Sequence, residues 1–281
     1  MILKLRTDRA LDPVTVSVIR AINNLTEGLG LNTLLVGATA RVILLEHVHD
    51  QVTGRRTHDI DFAVAVENWE QFRAIKDRLI SSGEFTQDEK IVHRLSYGPT
   101  VTVDLIPFGE IEDEESMLRW PPPEVAILNM AGFRDAYESA VKIEIEPDLI
   151  VSVASIPGMS VLKLFAWNDR RHEEKGKKDA QDFLYLLREY HNIGSRIYGD
   201  EAEAALMENG YNAELTGAWL LGYDAFSQSM PNTKNSLASI FLDRKLMDAL
   251  TLHMAADLRM YEDAQKRAKD LLDQYVKGFS Q

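Results

Sequence analysis

Three aspartates in the first half of the sequence have the side chains that divalent cations prefer. Asp59 and Asp61 lie in RRTHDIDF (55–62), and Asp104 lies in VTVDLIP (101–107). Side chains two apart on a strand share a face, so Asp59 and Asp61 are expected to point the same way. At ~4 Å, two like charges repel by roughly 1 kcal/mol in water and about 4 kcal/mol at an effective dielectric near 20. A cation relieves this repulsion, and Mg²⁺ favours hard carboxylate oxygens.

Asp104 is a third aspartate that could join Asp59 and Asp61 as a metal ligand. Asp104 lies among apolar strand residues, where a lone carboxylate is costly unless it is paired or binds metal. If its strand lies beside the strand of Asp59 and Asp61, three carboxylates can hold two divalent ions, Mg²⁺ or Mn²⁺, as in phosphoryl and nucleotidyl transfer. We therefore predict these aspartates as catalytic metal ligands. Turn or capping chemistry is the alternative for the D-x-D pair alone, and His58 is either a site residue or a turn residue.

A glycine turn lies upstream, in LLVGATAR (34–41). Gly37 permits close backbone approach, and free N–H groups at a helix start attract phosphate. Ala38 and Thr39 follow it, and Arg41 supplies a positive charge one turn later. We predict that Gly37, Ala38, Thr39 and Arg41 bind a nucleotide, although tight strand-to-helix packing is the alternative. The segment matches neither the Walker P-loop nor G-x-G-x-x-G.

Alternating and helical patterns supply the elements that position these residues. Asp12 and Pro13 predict the start of a helix that runs to about Leu29. The following elements are predicted as strands at 32–37 and 61–66, helices at 38–50 and 67–83, a hairpin of 90–98 with 100–108, a loop at 109–124, and one or two strands within 140–153. From Pro157 the pattern becomes helical, with breaks at 209–210 and near 231–232. We predict a mixed α/β domain at 1–155 and a helical domain at 156–281.

Composition narrows the function classes. The 281 residues carry a net charge of −13, which disfavours non-specific DNA binding, and they include no cysteine, which excludes disulfides and thiolate chemistry. No stretch approaches the roughly 20 apolar residues of a membrane helix, and the N-terminus lacks the pattern of a signal peptide. We expect a cytoplasmic protein without a membrane segment.

The order of these motifs resembles the nucleotidyltransferase fold of the DNA polymerase β superfamily. A strand and G-A-T-A helix start are followed by D-I-D on the next strand and V-D-L-I-P on a later one. A threonine two residues past the glycine stands where that superfamily has a Gly-Ser pair. The resemblance implies an α+β protein with a nucleotidyltransferase-fold mixed sheet followed by an all-helical domain.

The second half resembles the helical region of AbiEii/AbiGii toxin-like nucleotidyltransferases. The likeness lies in LKLFAWNDRRHEEKGKKDAQDFLYLL (162–187) and in GAWLLGYDA (217–225). In the first segment the resemblance implies two helices joined by a basic loop at 170–177. It implies that Lys163 contacts the triphosphate of an NTP such as ATP, that Asp179 is a further catalytic or orienting carboxylate, and that Lys178 and Asp182 support nucleotide binding. Snorkelling is the alternative for Lys163, and a solvated loop is the alternative for the basic run 170–178.

Three functions follow as hypotheses. The first is transfer of an NMP from an NTP to a hydroxyl of RNA such as tRNA, with the resemblance adding a toxin role and an antitoxin partner. The second is modification of an aminoglycoside, because polycations suit an acidic chain. The third is a non-catalytic nucleotide-binding module. The basic run favours RNA over the aminoglycoside.

Overall fold

The computed structural model describes residues 2–51, 59–121, 127–258 and 262–281. The chain divides into two compact units, Met1–Ser155 and Ile156–Gln281. Within the described residues, none of the helices is long and apolar enough to cross a bilayer. The first unit is a mixed α/β structure and the second is helical, so the predicted α+β fold is confirmed.

A mixed eight-stranded sheet forms the centre of the first unit, counted over its described residues. The strands of the unit are β1 (Ile2–Lys4), β2 (Thr33–Val36), β3 (Asp59–Ala65), β4 (Phe85–Gln87), β5 (Arg94–Tyr97), β6 (Val101–Phe108), β7 (Met117–Arg119), β8 (Ile127–Asn129), β9 (Val141–Glu146) and β10 (Leu149–Val153). The sheet order is β1-β9-β10-β2-β3-β6-β5-β4, and β7 pairs separately with β8. The strands β2, β3 and β6 therefore lie at the middle of the sheet.

Much of β2 and β3 is apolar and buried. All four residues of β2 are buried, and so are Phe62, Ala63 and Val64 of β3. The helices of this unit are α1 (Pro13–Gly28), α2 (Gly37–Val42), α3 (Trp69–Ser81) and α4 (Phe133–Glu138). Asp12 caps α1 by accepting hydrogen bonds from the N–H groups of Val14 and Thr15, as the Asp-Pro start predicts.

The second unit consists of helices packed around one core. They are α5 (Ile156–Arg170), α6 (Glu174–Glu189), α7 (Glu203–Glu208), α8 (Ala213–Gln228), α9 (Pro231–Leu242), α10 (Arg244–Ala255) and α11 (Ala264–Phe279). Glycines allow α8 and α11 to cross closely. A Cβ on Gly222 would lie 2.0 Å from the Tyr275 carbonyl oxygen, and one on Gly278 would lie 1.9 Å from that of Trp219. The helical breaks predicted near Gly210 and Pro231 are confirmed.

Three predicted elements differ from the structure. The helix predicted at 38–50 is α-helical only to Val42 and continues as a π-helix over Ile43–Val48. The predicted loop 109–124 contains β7, because its short Met-Leu-Arg segment pairs with β8. The basic run predicted as a loop is largely helical: Arg170 ends α5 and α6 already begins at Glu174.

Candidate active site

The parallel pairing of β3 with β6 brings two of the predicted carboxylates side by side. Asp61 is the register partner of Asp104, and Asp59 is the partner of Thr102. Register partners on adjacent strands present their side chains to the same face of the sheet. Asp59 is exposed and Asp61 is half-buried, whereas the side chain of Asp104 is 13% exposed. Three acidic residues from two strands therefore face one side of the sheet at its centre.

The glycine turn closes over one of these carboxylates. Val36, the last residue of β2, pairs with Asp61 in the antiparallel β2–β3 ladder. Gly37 follows with a φ of +69°, a backbone conformation that favours glycine. A Cβ at Gly37 would lie 2.0 Å from Oδ2 of Asp61. The Asp61 carboxylate thus packs directly against the α-carbon of Gly37, and no other residue type fits there without displacing it.

The rest of the turn divides into an accessible part and a buried part. Gly37 and Ala38 are half-buried, whereas Thr39 is 9% exposed and Arg41 is 4% exposed. The Thr39 hydroxyl donates a hydrogen bond to the Asp59 carbonyl oxygen at 2.9 Å. Within the first unit, Thr39 therefore anchors the start of β3, and the Arg41 guanidinium is enclosed by protein.

Arg94 is a member of this cluster that the sequence reasoning missed. Its Nε and Nη2 donate to the two carboxylate oxygens of Asp104 at 2.7 and 2.8 Å. Hydrogen bonding to Asp104 raises the pKa of Arg94, and the charge of Asp59 adds to this shift. The hairpin offers the missing signal, since Arg94 pairs with Asp104 and Tyr97 pairs with Val101. Residues equally distant from a predicted hairpin turn face each other.

The donor set suits a divalent cation, with one condition. Within the described residues, no group of three or more His, Cys, Asp or Glu side chains is arranged to hold a metal ion. Asp104 is engaged by Arg94 through both oxygens. Asp59 and Asp61 nevertheless supply hard oxygen ligands on one face. By their chemistry these two residues fit a divalent cation, whereas both oxygens of Asp104 are occupied by Arg94.

The charged residues predicted in the second unit form a separate, compact network. Lys163 on α5 donates to Asp179 at 3.1 Å and to Asp182 at 2.6 Å on α6. Arg170 donates two further hydrogen bonds to Asp179, at 2.6 and 2.9 Å. Burial alone would lower the pKa of Lys163, but the charges of Asp182 and Asp179 outweigh it and raise the pKa. These hydrogen bonds join α5 to α6, and the side chain of Asp179 at their centre is only 3% exposed.

Positive charge on α6 remains at the surface. Lys175 and Lys178 are exposed, and neither forms an ion pair within the described part of the chain. Lys177 pairs with Glu174 on the same helix. Arg171, between α5 and α6, bonds the carbonyl of Asn168 rather than a carboxylate. The start of α6 therefore displays cationic groups.

The last predicted segment, GAWLLGYDA, has a structural role within the second unit. Its glycines pack closely, as described for Gly222 above. Asp224 accepts hydrogen bonds from Arg196, one of them at 2.9 Å, and from the Tyr190 hydroxyl. Arg55, Arg56 and His58, upstream of the D-x-D pair, lie outside the described residues.

A comparison with protein families assigns the chain. The model of the family described as "Nucleotidyl transferase AbiEii toxin, Type IV TA system" matches residues 23–277. The chain is a nucleotidyltransferase. More particularly, it belongs to the AbiEii toxin family of nucleotidyltransferases, as the resemblance predicts. No curated protein matches it significantly.

Several solved structures show a distant likeness. An antigenic nucleotidyltransferase-like protein from Paracoccidioides brasiliensis is 16% identical with a TM-score of 0.42, over 63% of this chain and 77% of that one. JHP933 from Helicobacter pylori is 16% identical with a TM-score of 0.37, over 96% and 94%. The CCA-adding enzyme of Thermotoga maritima, complexed with tRNA, is 12% identical with a TM-score of 0.28, over 99% and 82%. The family assignment stands on the family model alone.

Proposed function

We propose that this nucleotidyltransferase moves an NMP from an NTP, such as ATP, to a hydroxyl group of RNA such as tRNA, with Mg²⁺ or Mn²⁺ as cofactor. It acts as the toxin of a toxin–antitoxin pair and has an antitoxin protein as its partner. The AbiEii family assignment supports both the transfer chemistry and the toxin role.

One observation carries the assignment of the active site. Asp61 lies beside Asp104 in register and against Gly37 in space. One carboxylate is thus shared by the acidic face of the sheet and the glycine turn, two features far apart in sequence. If Gly37 served only strand-to-helix packing, no carboxylate would need to lie beside it. If Asp59 and Asp61 served only a turn, no third aspartate would be needed on the neighbouring strand.

The residues have distinct tasks in this proposal. Asp59 and Asp61 hold the divalent cation, and Asp104 completes the ligand set and helps to activate the acceptor hydroxyl. When bound, the cation stabilises negative charge on the triphosphate and lowers the pKa of a coordinated hydroxyl. The accessible backbone of Gly37 and Ala38 seats the triphosphate, and Thr39 keeps Asp59 in place through its hydrogen bond to the backbone.

The acceptor class follows from local charge. The chain has a net charge of −13, so an RNA must find a local basic surface to bind. Lys175 and Lys178 provide one on α6, with Arg171 nearby in sequence.

The roles that the resemblance gives to Lys163, Asp179, Lys178 and Asp182 in nucleotide binding stay predictions. Substitution of Lys163 by methionine, followed by NTP titration, tests the first of them.

The test is a transfer assay with matched carboxylate variants. The protein is mixed with Mg²⁺, each labelled NTP in turn and total RNA, and label is followed into RNA. We expect transfer by the wild type and a loss of at least about 1,000-fold in Asp59→Asn/Asp61→Asn, because the metal contribution to such transition states is several kcal/mol. Asp77→Asn, at an exposed position on α3, should transfer normally. Transfer that survives in the double variant would overturn the site assignment.

Further arms of the same assay separate the acceptors. In one arm an aminoglycoside replaces RNA, and its mass is measured after the reaction. A gain equal to one NMP would identify the aminoglycoside, rather than RNA, as the acceptor. With RNA as acceptor, the charge-reversed variant Lys175→Glu/Lys178→Glu should need more RNA for the same rate. Lys269→Glu, which reverses the charge of an exposed lysine on α11, is the control.

A further inference from the structure

Arg94 binds both oxygens through which Asp104 could coordinate a cation. It extends from β5, the neighbour of β6, and both of its hydrogen bonds to Asp104 are short and well formed, at 2.7 and 2.8 Å. The pair is largely enclosed, with side chains that are 28% and 13% exposed. A bidentate, partly buried arginine–carboxylate pair is among the stronger charge interactions in proteins.

This pair conflicts with direct metal binding by Asp104. Each Asp104 oxygen already accepts a hydrogen bond from a guanidinium that stays protonated at all accessible pH values. A divalent cation brought to the same carboxylate would place two like charges within a few ångströms of each other. The ion pair and the metal–carboxylate bond therefore compete for the same oxygens.

We infer that Arg94 is a positioning residue that controls the loading of metal at Asp104. The inference rests on the proposed function, because it assumes that Asp59 and Asp61 hold a divalent cation. In the proposed function, Asp59, which is exposed, and Asp61, which is half-buried, bind a first ion. A second ion, or full coordination of the first, requires Asp104 and therefore requires the Arg94 pair to open. Arg94 thus makes the third carboxylate a conditional ligand and keeps its charge compensated until the metal arrives.

The experiment measures metal binding without catalysis. Free Mn²⁺ is followed by electron paramagnetic resonance as it is titrated into the full-length protein. The wild type should show a tight class of site and a weak one. Arg94→Gln frees Asp104 from a competing cation, so the weak class should bind more tightly. We expect a gain of about 10- to 100-fold, equal in size to the losses seen when supporting partners of metal ligands are removed. Arg94→Lys, which cannot engage both oxygens in a fork, should give an intermediate gain.

Two variants make the result specific. Arg20→Gln removes another bidentate arginine–aspartate pair of the first unit, the pair with Asp148, and should leave Mn²⁺ binding unchanged. Asp104→Asn should remove the weak class, and adding Arg94→Gln to it should produce no gain. Thermal melting by circular dichroism identifies any variant that does not fold. If Arg94→Gln is one, Arg94→Lys and Asp104→Asn still decide the outcome.

The possible results distinguish a failure of the role of Arg94 from a failure of the proposed metal site. Equal Mn²⁺ binding by the wild type, Arg94→Gln and Arg94→Lys would overturn the role of Arg94, as would a gain that persists in Asp104→Asn. Asp59→Asn/Asp61→Asn tests the proposed metal site itself. If that variant binds Mn²⁺ as the wild type does, the proposed site fails. If it loses Mn²⁺ while the Arg94 variants behave as the wild type, only the inference fails.

Discussion

The two acidic clusters of this nucleotidyltransferase contain similar residues and solve different problems. Asp179 in the second unit is 3% exposed and receives three hydrogen bonds from two cations, Lys163 and Arg170. In the first unit, Asp104 receives two from Arg94, and Asp59 stands exposed beside it. The buried cluster is matched in charge and joins two helices, whereas the open cluster concentrates carboxylates on an accessible face. Accessibility, more than the presence of aspartates, makes the open cluster the candidate ligand site.

The largest stability effect should therefore come from the buried cluster. Asp179→Asn leaves Lys163 and Arg170 without their shared carboxylate, and breaking a buried pair costs about 3–5 kcal/mol. We expect about 3 kcal/mol here, the lower end, because Arg170 is partly exposed. The free energy of unfolding is measured by urea denaturation. Asp59→Asn is the comparison and should change it by less than about 0.5 kcal/mol. Equal losses of unfolding free energy in Asp179→Asn and Asp59→Asn would contradict the distinction between the two clusters.

The next effect separates backbone strain from site geometry at the glycine turn. Gly37→Ala pays roughly 1–2 kcal/mol for the left-handed backbone, and its Cβ also displaces the Asp61 carboxylate. We expect the transfer rate to fall about 100-fold, as for other misplaced catalytic groups. Gly30→Ala has the same φ of +69° but nothing within 4 Å of the added Cβ, so it should lose stability and keep its rate. Parallel rate assays of the two variants decide whether contact with Asp61 matters.

A smaller effect tests how the open cluster is held. Thr39→Val removes the hydroxyl that bonds the Asp59 carbonyl and should cost about 1 kcal/mol of stability. The rate should fall several-fold as the start of β3 loosens. Thr39→Ser keeps the hydroxyl and should behave nearly as the wild type. A normal rate in the valine variant would show that Asp59 needs no such anchor.

The smallest effect concerns pH in the second unit. Burial, and then the charge of Lys177, lower the pKa of His253, whose Nδ1 accepts a hydrogen bond from Trp167 Nε1 at 3.1 Å. As the pH falls through about 6.5, the unfolded chain takes up a proton that the folded protein resists, so stability decreases. Proton NMR should show His253 titrating below its usual range. His253→Gln should flatten this part of the stability profile, and an unchanged profile would contradict the assignment.

The sequence predicts the placement of the three aspartates better than it predicts the residues that contact them. Period-two spacing is enough to place Asp59 and Asp61 on one face, and the strand pattern around Asp104 marks a carboxylate that needs a partner. The contact between Gly37 and Asp61 depends on the pairing of Val36 with Asp61, a long-range register that no local pattern encodes. Arg94 differs in this respect, because its pairing with Asp104 lies within one hairpin and follows from counting residues on each side of the predicted turn.

Two further differences between the prediction and the structure arise from the orientation of α2 and from the burial of α6. Thr39 and Arg41 follow the glycine in sequence, but the direction of α2 turns both inward, and sequence proximity to a phosphate-binding turn does not reveal that direction. The run around Lys175 contains a glycine and many charges, which favours a loop locally. The burial of Ala180, Phe183 and Leu184, together with the hydrogen bonds from α5 to Asp179, overrides this preference, and the helix begins at Glu174.

The central claim of the proposed function is that Asp59 and Asp61 hold a divalent cation beside Gly37, with Asp104 able to complete the ligand set. A crystal structure with Mn²⁺ and a non-hydrolysable NTP tests it most directly, because anomalous scattering locates the metal independently. The account predicts an anomalous peak at about 2.1 Å from oxygens of Asp59 and Asp61, with Arg94 turned away from Asp104 wherever Asp104 is also a ligand. A metal bound elsewhere, with Asp61 still against Gly37 and the three carboxylates uncoordinated, would contradict it.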